Sequence, residues 1–240
     1  TLRKNQEESI KKHNEGLKKT NQELDNFVYR VSHDLRAPIA SSLGLITLAR
    51  DENDIDQIQE YLDLQEKSLF RLDEFIRDIL NYSRNSRMEL KTEEINFEEI
   101  IEETFQNYHY LEEAKKVERI LEINHTAQFI SDKRRLSVIL NNIISNALRF
   151  SNAYIDHSWI KVTVNSLAHE TVVEISDNGI GIKPEHISKI FDMFYRATDV
   201  KKGSGLGLYI VTESVEKLYG KSSVQSEVNK GTQFTITLPN

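Results

Sequence analysis

The chain has no cysteine, three prolines and nine glycines in 240 residues. Without cysteine there is no disulfide, thiolate metal site, thiol nucleophile or thiol redox chemistry, so any catalysis must use other groups. Glycine well below the average usage of about 7%, with so little proline, excludes collagen-like, Gly/Ser-linker and most disordered compositions. No stretch approaches the roughly 20 apolar residues of a membrane span, and no signal peptide is visible. A net charge of −7 opposes broad affinity for nucleic acid or anionic membranes. No nucleic-acid partner and no direct membrane contact are therefore expected, and the chain reads as soluble. It opens at Thr1 in mid-helical pattern, as a piece of something longer would.

The length suits one large or two small folded units at roughly 150 residues per domain, and the pattern falls into two halves. Up to about residue 87 the sequence is charged and strongly periodic. Ile10, Leu17, Leu24 and Val31 recur every seven residues, with Phe27, Val28 and Leu35 in the second seam position. His13, Asn14, Thr20 and Asn21 dilute the seam before residue 24, which makes the early coil weak. The polar stretch Asp51–Asp56 interrupts the pattern and offers N-caps for a second helix. Ile58, Leu62, Leu69, Leu72, Ile76 and Ile79 continue that helix to about Ser83. Two such helices make an antiparallel hairpin, and two copies in a four-helix bundle would bury its apolar face. A homodimer is expected.

Beyond a connector near 84–96 the pattern predicts a helix from Phe97 to about Val117, a strand at Ile120–Ile123, and a helix from about Asp132 to Phe150 with Ser131 as a cap candidate. Strands at Ile160–Ser166 and Thr171–Ser176 join through the turn Leu167–Glu170. A helix from about Leu206 to Leu218 and strands at Ser223–Ser226 and Gln233–Leu238 close an α/β sandwich.

Five short segments carry the chemistry. In the first, His33 lies about 180° from Leu24 around the helix, whereas Val28, Val31, Leu35 and Ile39 lie within about 60° of it. The histidine faces away from the apolar seam. A single exposed histidine is ordinarily just solvated surface; Pro38, costing about 3 kcal/mol inside a helix, makes this neighbourhood less ordinary and suggests a kink. Secondly, Asn142 and Asn146 stack on one helical face with Arg149 following. They read either as an amide network or as a Mg²⁺ and phosphate site. The third and fourth segments place Gly179 and Gly181 after Asp177, and Gly203, Gly205 and Gly207 at a helix start, where exposed amides favour anions. A dinucleotide fingerprint would need a strand before Gly203, but that stretch is polar and charged. Between these clusters Lys183–Lys202, with a short helix and then Phe191, Phe194, Tyr195 and Arg196, reads as a lid or as a packed surface loop. The fifth segment, Gly231-Thr232, turns into the last strand, where Thr232 could donate to a base.

In this order the segments resemble the H, N, G1, F and G2 boxes of two-component sensor histidine kinases, with the Gly-Thr of the last strand in its family place. The resemblance covers about residues 24–240. It implies α plus α/β architecture: a dimeric antiparallel four-helix bundle followed by an α/β sandwich ATP-binding domain of the Bergerat fold. Residues 1–23 would end a signal-transmitting helix, 24–87 form the dimerisation and phosphoacceptor domain, 88–96 the linker and 97–240 the catalytic domain. His33 would accept the γ-phosphoryl group, and Asp34 would orient and deprotonate it. Asn146 would hold Mg²⁺, while Asn142 and Arg149 contact phosphates. Asp177 would bind the adenine amine with Thr232 nearby, the five glycines would shape the pocket, and Phe194 and Arg196 belong to the lid. The implied cofactors are ATP and Mg²⁺. The implied partners are a second copy, a response regulator receiver domain and an upstream sensor domain, and the expected location is cytoplasmic.

Adjacent helical residues diverge by about 100°, so spacing alone leaves the His33–Asp34 contact open. Family members that dephosphorylate their partner usually carry Thr or Asn four residues after the histidine; Ala37 stands there, so weak phosphatase activity is expected. Two other readings are a silent dimeric scaffold and an ATP-driven clamp of the related chaperone and topoisomerase group. The clamp needs a catalytic Glu in the asparagine-bearing helix, and Leu136–Phe150 contains none.

Overall fold

The computed structural model describes residues 2–87, 89–109, 112–152, 155–198 and 203–240. The side chains of Ile10, His13, Leu17 and Thr20, and residues 199–202 of the expected lid, lie outside the described set. Two compact units divide at Ile76 and Arg77. Among the described residues no helix is long and apolar enough to cross a membrane.

The first unit is built from helix α1, Leu2–Asp51, and the greater part of helix α2, Ile55–Arg87. The polar break does what its residue types suggest. Glu52 Oε1 accepts the amides of Asn53 (2.8 Å) and Asp54 (3.0 Å), and Asp54 caps α2 by accepting from Asp56 N at 3.0 Å. The hairpin is antiparallel: Ser68 Oγ donates to the Pro38 carbonyl at 3.1 Å, and the two residues stand at equal distances in sequence from Asn53. Helix α1 continues through Pro38. Phe75 is the buried hydrophobic residue of this unit among those described, while Leu24, Val28, Ile39, Leu62 and Leu69 are exposed. One copy of the hairpin therefore leaves most of its apolar surface in water.

The second unit holds a five-stranded sheet in the order β2-β4-β5-β7-β6, formed by β2 (Val117–His125), β4 (Ser158–Ser166), β5 (Glu170–Asp177), β6 (Lys221–Glu227) and β7 (Gly231–Pro239). Strands β2 and β4 run parallel and the other neighbours antiparallel. One face is apolar by strict alternation: Ile160, Val162 and Val164 on β4, Val173 and Ile175 on β5, and Phe234, Ile236 and Leu238 on β7 are all buried. Helix α5 (Lys133–Arg149) lies over this face, burying Leu136, Ile139, Leu140, Ile143, Ile144, Ala147 and Leu148. Helices α3 (Phe97–Asn107) and α7 (Gly207–Lys217) pack beside α5.

Four local expectations are corrected. The helix expected from Phe97 to Val117 ends at Asn107, where the Tyr108 amide turns back to Phe105 O and Gln106 O; a separate short helix α4, Glu112–Lys116, follows. Strand β2 is longer than Ile120–Ile123 because Val117 already pairs with Ser158. Two-residue strands β1 (Glu93–Glu94) and β3 (Ile130–Ser131) pair antiparallel and occupy Ser131. The cap of α5 is accordingly Asp132, whose Oδ1 accepts Arg135 N at 3.1 Å. Asp132 is fully buried. Burial raises its carboxyl, but hydrogen bonds from the Lys91 and Arg135 amides and the nearby guanidinium charges outweigh that and hold it below the usual carboxylate range.

Candidate active site

In the first unit, α1 presents His33 and Asp34 to solvent, with Nδ1 and Oδ1 3.0 Å apart and side chains 70% and 44% exposed. A carboxylate can only accept, so Nδ1 donates in this contact, and in the neutral imidazole that leaves the lone pair on Nε2. The contact that spacing left open is therefore made, in the sense a nucleophilic imidazole needs.

In the second unit, Asp177 and Thr232 stand at one end of the apolar sheet face. Register sets Ile160, Asp177, Thr232 and Ser226 side by side across β4, β5, β7 and β6, one row beyond Val162, Ile175, Phe234 and Val224. From Asp177 through Thr232 to Ser226 the row is polar where its neighbour is a core layer. Burial pushes the Asp177 carboxyl up to about 6, against the opposing effect of hydrogen bonds from the Gly179 and Thr232 amides. Asp177 Oδ1 accepts Gly179 N at 2.8 Å. Asn178 clamps the start of β4: its Oδ1 accepts Trp159 N and its Nδ2 donates to the His157 carbonyl, both at 2.8 Å. Gly181 has φ +67°, and a Cβ there would fall on the Glu227 carbonyl, so this turn admits only glycine without rebuilding.

On α5, Asn142, Asn146 and Arg149 share one partly buried side of the helix. Asn142 Nδ2 donates to Val138 O at 2.8 Å. Its Oδ1 lies 2.7 Å from where a Cβ on Gly207 would sit, and the Arg149 guanidinium lies 2.8 Å from the same position on Gly203. The second glycine cluster thus runs along the asparagine–arginine face of α5. Arg149 and Gly203 come together as a cation beside a glycine-lined backbone, an arrangement suited to phosphate oxygens. Leu206 N donates to Ser204 Oγ at 3.1 Å ahead of α7.

The described part of the segment expected as a lid begins with helix α6, Pro184–Ile187. His186 Nδ1 lies 2.7 Å from Tyr195 Oη, and Phe191 meets Phe234 edge-on. Phe194 is buried with φ +64°, and its amide donates to the Gly205 carbonyl at 3.0 Å. Arg196 is exposed near the end of the described lid. Asp177, Gly179, Gly181 and Thr232 therefore form one cluster, while Asn142, Arg149, Gly203, Gly205, Gly207 and Phe194 form another around the α5–α7 junction. Sequence reasoning missed Ser226 and Asn178. Ser226 was readable as a polar residue on the inward alternation of β6, and Asn178 as the residue between two that were singled out.

Two family matches bear on this arrangement. Residues 131–240 match the family of histidine kinase-, DNA gyrase B-, and HSP90-like ATPases, and residues 23–87 match the His Kinase A phospho-acceptor domain. The chain belongs to the sensor histidine kinases. Among curated relatives of this histidine kinase, the methanogenesis regulatory histidine kinase FilI of Methanothrix harundinacea is 31% identical over 222 residues, covering 91% of this chain and 25% of FilI. The histidine protein kinase SaeS of Staphylococcus epidermidis is 31% identical over 238 residues, covering 92% and 65%. The chain thus spans a quarter of one relative and 65% of the other. Two solved structures share the fold: ThkA in its complex with the response regulator protein TrrA (TM-score 0.69, 23% identity, 89% of this chain and 61% of that one) and AdeS of Acinetobacter baumannii (0.67, 22%, 86% and 97%).

Proposed function

We propose that this histidine kinase phosphorylates its own His33 from ATP and passes the phosphoryl group to an aspartate of a response regulator. The observation that carries the reading is the Nδ1–Asp34 pairing, which leaves Nε2 of an exposed imidazole free to attack. In the step, Nε2 forms the N–P bond, the bond from the γ-phosphorus to the ADP oxygen breaks, and the Nδ1 proton passes to Asp34. Within the second unit the residues named above divide by chemistry. Asp177, with Thr232 beside it, takes the adenine amine; Gly179 and Gly181 bring backbone to the base; Arg149, Asn142 and the amides around Gly203, Gly205 and Gly207 face the phosphates; Phe194 and Arg196 belong to the lid.

Mg²⁺ fits this donor set as a shared ion. Among the described residues no group of three or more His, Asp or Glu could hold a metal alone. An ion held chiefly by phosphate oxygens and water, with the Asn146 amide oxygen as a protein ligand, matches ordinary Mg²⁺ coordination, and it would neutralise charge on the phosphates.

The exposed seam of the hairpin supports a homodimer. We assign residues 1–23 to a signal-transmitting helix leading from an upstream sensor domain, 24–87 to dimerisation and phosphoacceptance, 88–96 to a linker and 97–240 to ATP binding, working in the cytoplasm where ATP is. Ala37 four residues after His33 goes with weak phosphatase activity. Incubation with γ-labelled ATP and Mg²⁺ tests the reading through the appearance of acid-labile, base-stable label that His33→Gln loses.

A further inference from the structure

Ser226 makes three contacts that together leave one assignment of its single proton. Ile182 N donates to its Oγ at 2.8 Å. The Gly231 carbonyl, 2.9 Å away, can only accept, so the Ser226 proton goes there. Thr232 Oγ1 also lies 2.9 Å from Ser226 Oγ. With the Ser226 proton spent on Gly231, that contact is a donation from Thr232 to Ser226. Thr232 is buried and stands between Ser226 and Asp177 in the row across β6, β7 and β5. Its proton therefore points away from Asp177, and toward Asp177 its oxygen offers lone pairs.

We propose that Ser226 is a specificity-determining residue for the purine: it fixes the direction of the Thr232 hydroxyl, so that Thr232 and the Asp177 carboxylate form an all-acceptor pair that selects a 6-amino group over a 6-oxo group. This rests on the nucleotide-binding reading above and reverses the donor role that the sequence suggests for Thr232. A 6-oxo purine brings an acceptor against acceptors and leaves buried polar groups unpaired, which is how polar sites reject near-isosteres. Ser226 acts through Thr232 and need not touch the ligand.

The test is competition of ADP and of inosine diphosphate against a fluorescent ADP analogue with Mg²⁺, on the whole 240-residue chain at pH 8, where Asp177 is ionised. Wild type binds ADP more tightly by about tenfold or more. Ser226→Ala frees the Thr232 hydroxyl to rotate and donate, so the ratio of the two affinities falls several-fold, mainly through tighter inosine diphosphate binding. Thr232→Ser keeps the hydroxyl and the ratio. Should Ser226→Ala melt the domain, Ser226→Cys, which keeps the volume and is a poor acceptor, must move the ratio the same way. Equal weakening of both ligands, or an unchanged ratio in folded variants, overturns the proposal while leaving ATP binding standing. Failure of wild type to bind either nucleotide overturns the nucleotide reading itself.

Discussion

The amide of Phe194 donates to the carbonyl of Gly205 at 3.0 Å, and both residues sit at positive φ, +64° and +70°. The segment expected as a lid and the second glycine cluster are therefore joined backbone to backbone. A Cβ on Gly205 would lie 2.7 Å from the Phe194 carbonyl carbon, so the junction leaves no room for a side chain there.

Gly205→Val should break that junction. A β-branched residue at such a φ costs roughly 1–3 kcal/mol in backbone strain alone, before the collision with Phe194. Nucleotide affinity is expected to fall more than tenfold, as Gly181→Val should also make it do, while helicity at 222 nm keeps the contribution of the hairpin. Titration with a fluorescent ADP analogue, alongside circular dichroism, checks both halves of this expectation.

With Asp177 in the proposed base site, nucleotide binding should depend on pH. Its carboxyl is raised from 3.8 to about 6 by burial, so the folded chain holds the proton more tightly than the unfolded chain between those values. Stability contributed by this group is present below about pH 4 and declines as pH rises through 6. Binding runs the opposite way, because only the ionised carboxylate is acceptor-only. ADP affinity should rise with pH through about 6, and Asp177→Asn should flatten the profile and weaken binding at pH 8 by about tenfold. Calorimetric titrations between pH 5 and 8 measure this directly.

Leu62 and Leu69 are about half exposed in the single hairpin, at 48% and 49%. Burying each in a four-helix bundle gives of order 1 kcal/mol per half side chain. Sedimentation equilibrium should find a dimer, and Leu69→Glu should shift it to monomer without loss of ADP binding.

Asp34→Asn keeps the shape of the His33 partner but can donate to Nδ1, turning the tautomer around so that Nε2 carries the proton. Self-labelling should slow by about two orders of magnitude or more, the usual scale for losing a general base, while ADP affinity is unchanged.

Much of this was legible because the signals are strong where packing is strong. The seven-residue seam through Leu24 and Val31 and the Asp51–Asp56 break are patterns of residue type along the helices, with Leu24 exposed in the single hairpin, whereas the alternation in β4, β5 and β7 comes from residues whose burial repeats with the strand. The same is true of the glycines: Gly181 and Gly205 stand where positive φ is required. What was missed is set by partners distant in sequence. Glu93–Glu94 is a strand only because Ile130–Ser131 lies beside it, and Asp132 displaces Ser131 as cap because that serine is already in a strand. The helix after Phe97 stops at Asn107 although Glu112–Lys116 resumes a helical composition. Ser226 gains its meaning from Ile182, Gly231 and Thr232, which converge only in the folded sheet.

The central claim is that His33 is the phosphoacceptor, and labelling with γ-³²P-ATP and Mg²⁺ tests it most directly. The account predicts label that is lost in acid, survives base and is absent from His33→Gln, which still binds ADP. Absence of label in a wild-type chain that binds ATP, or label that persists in His33→Gln, would contradict it.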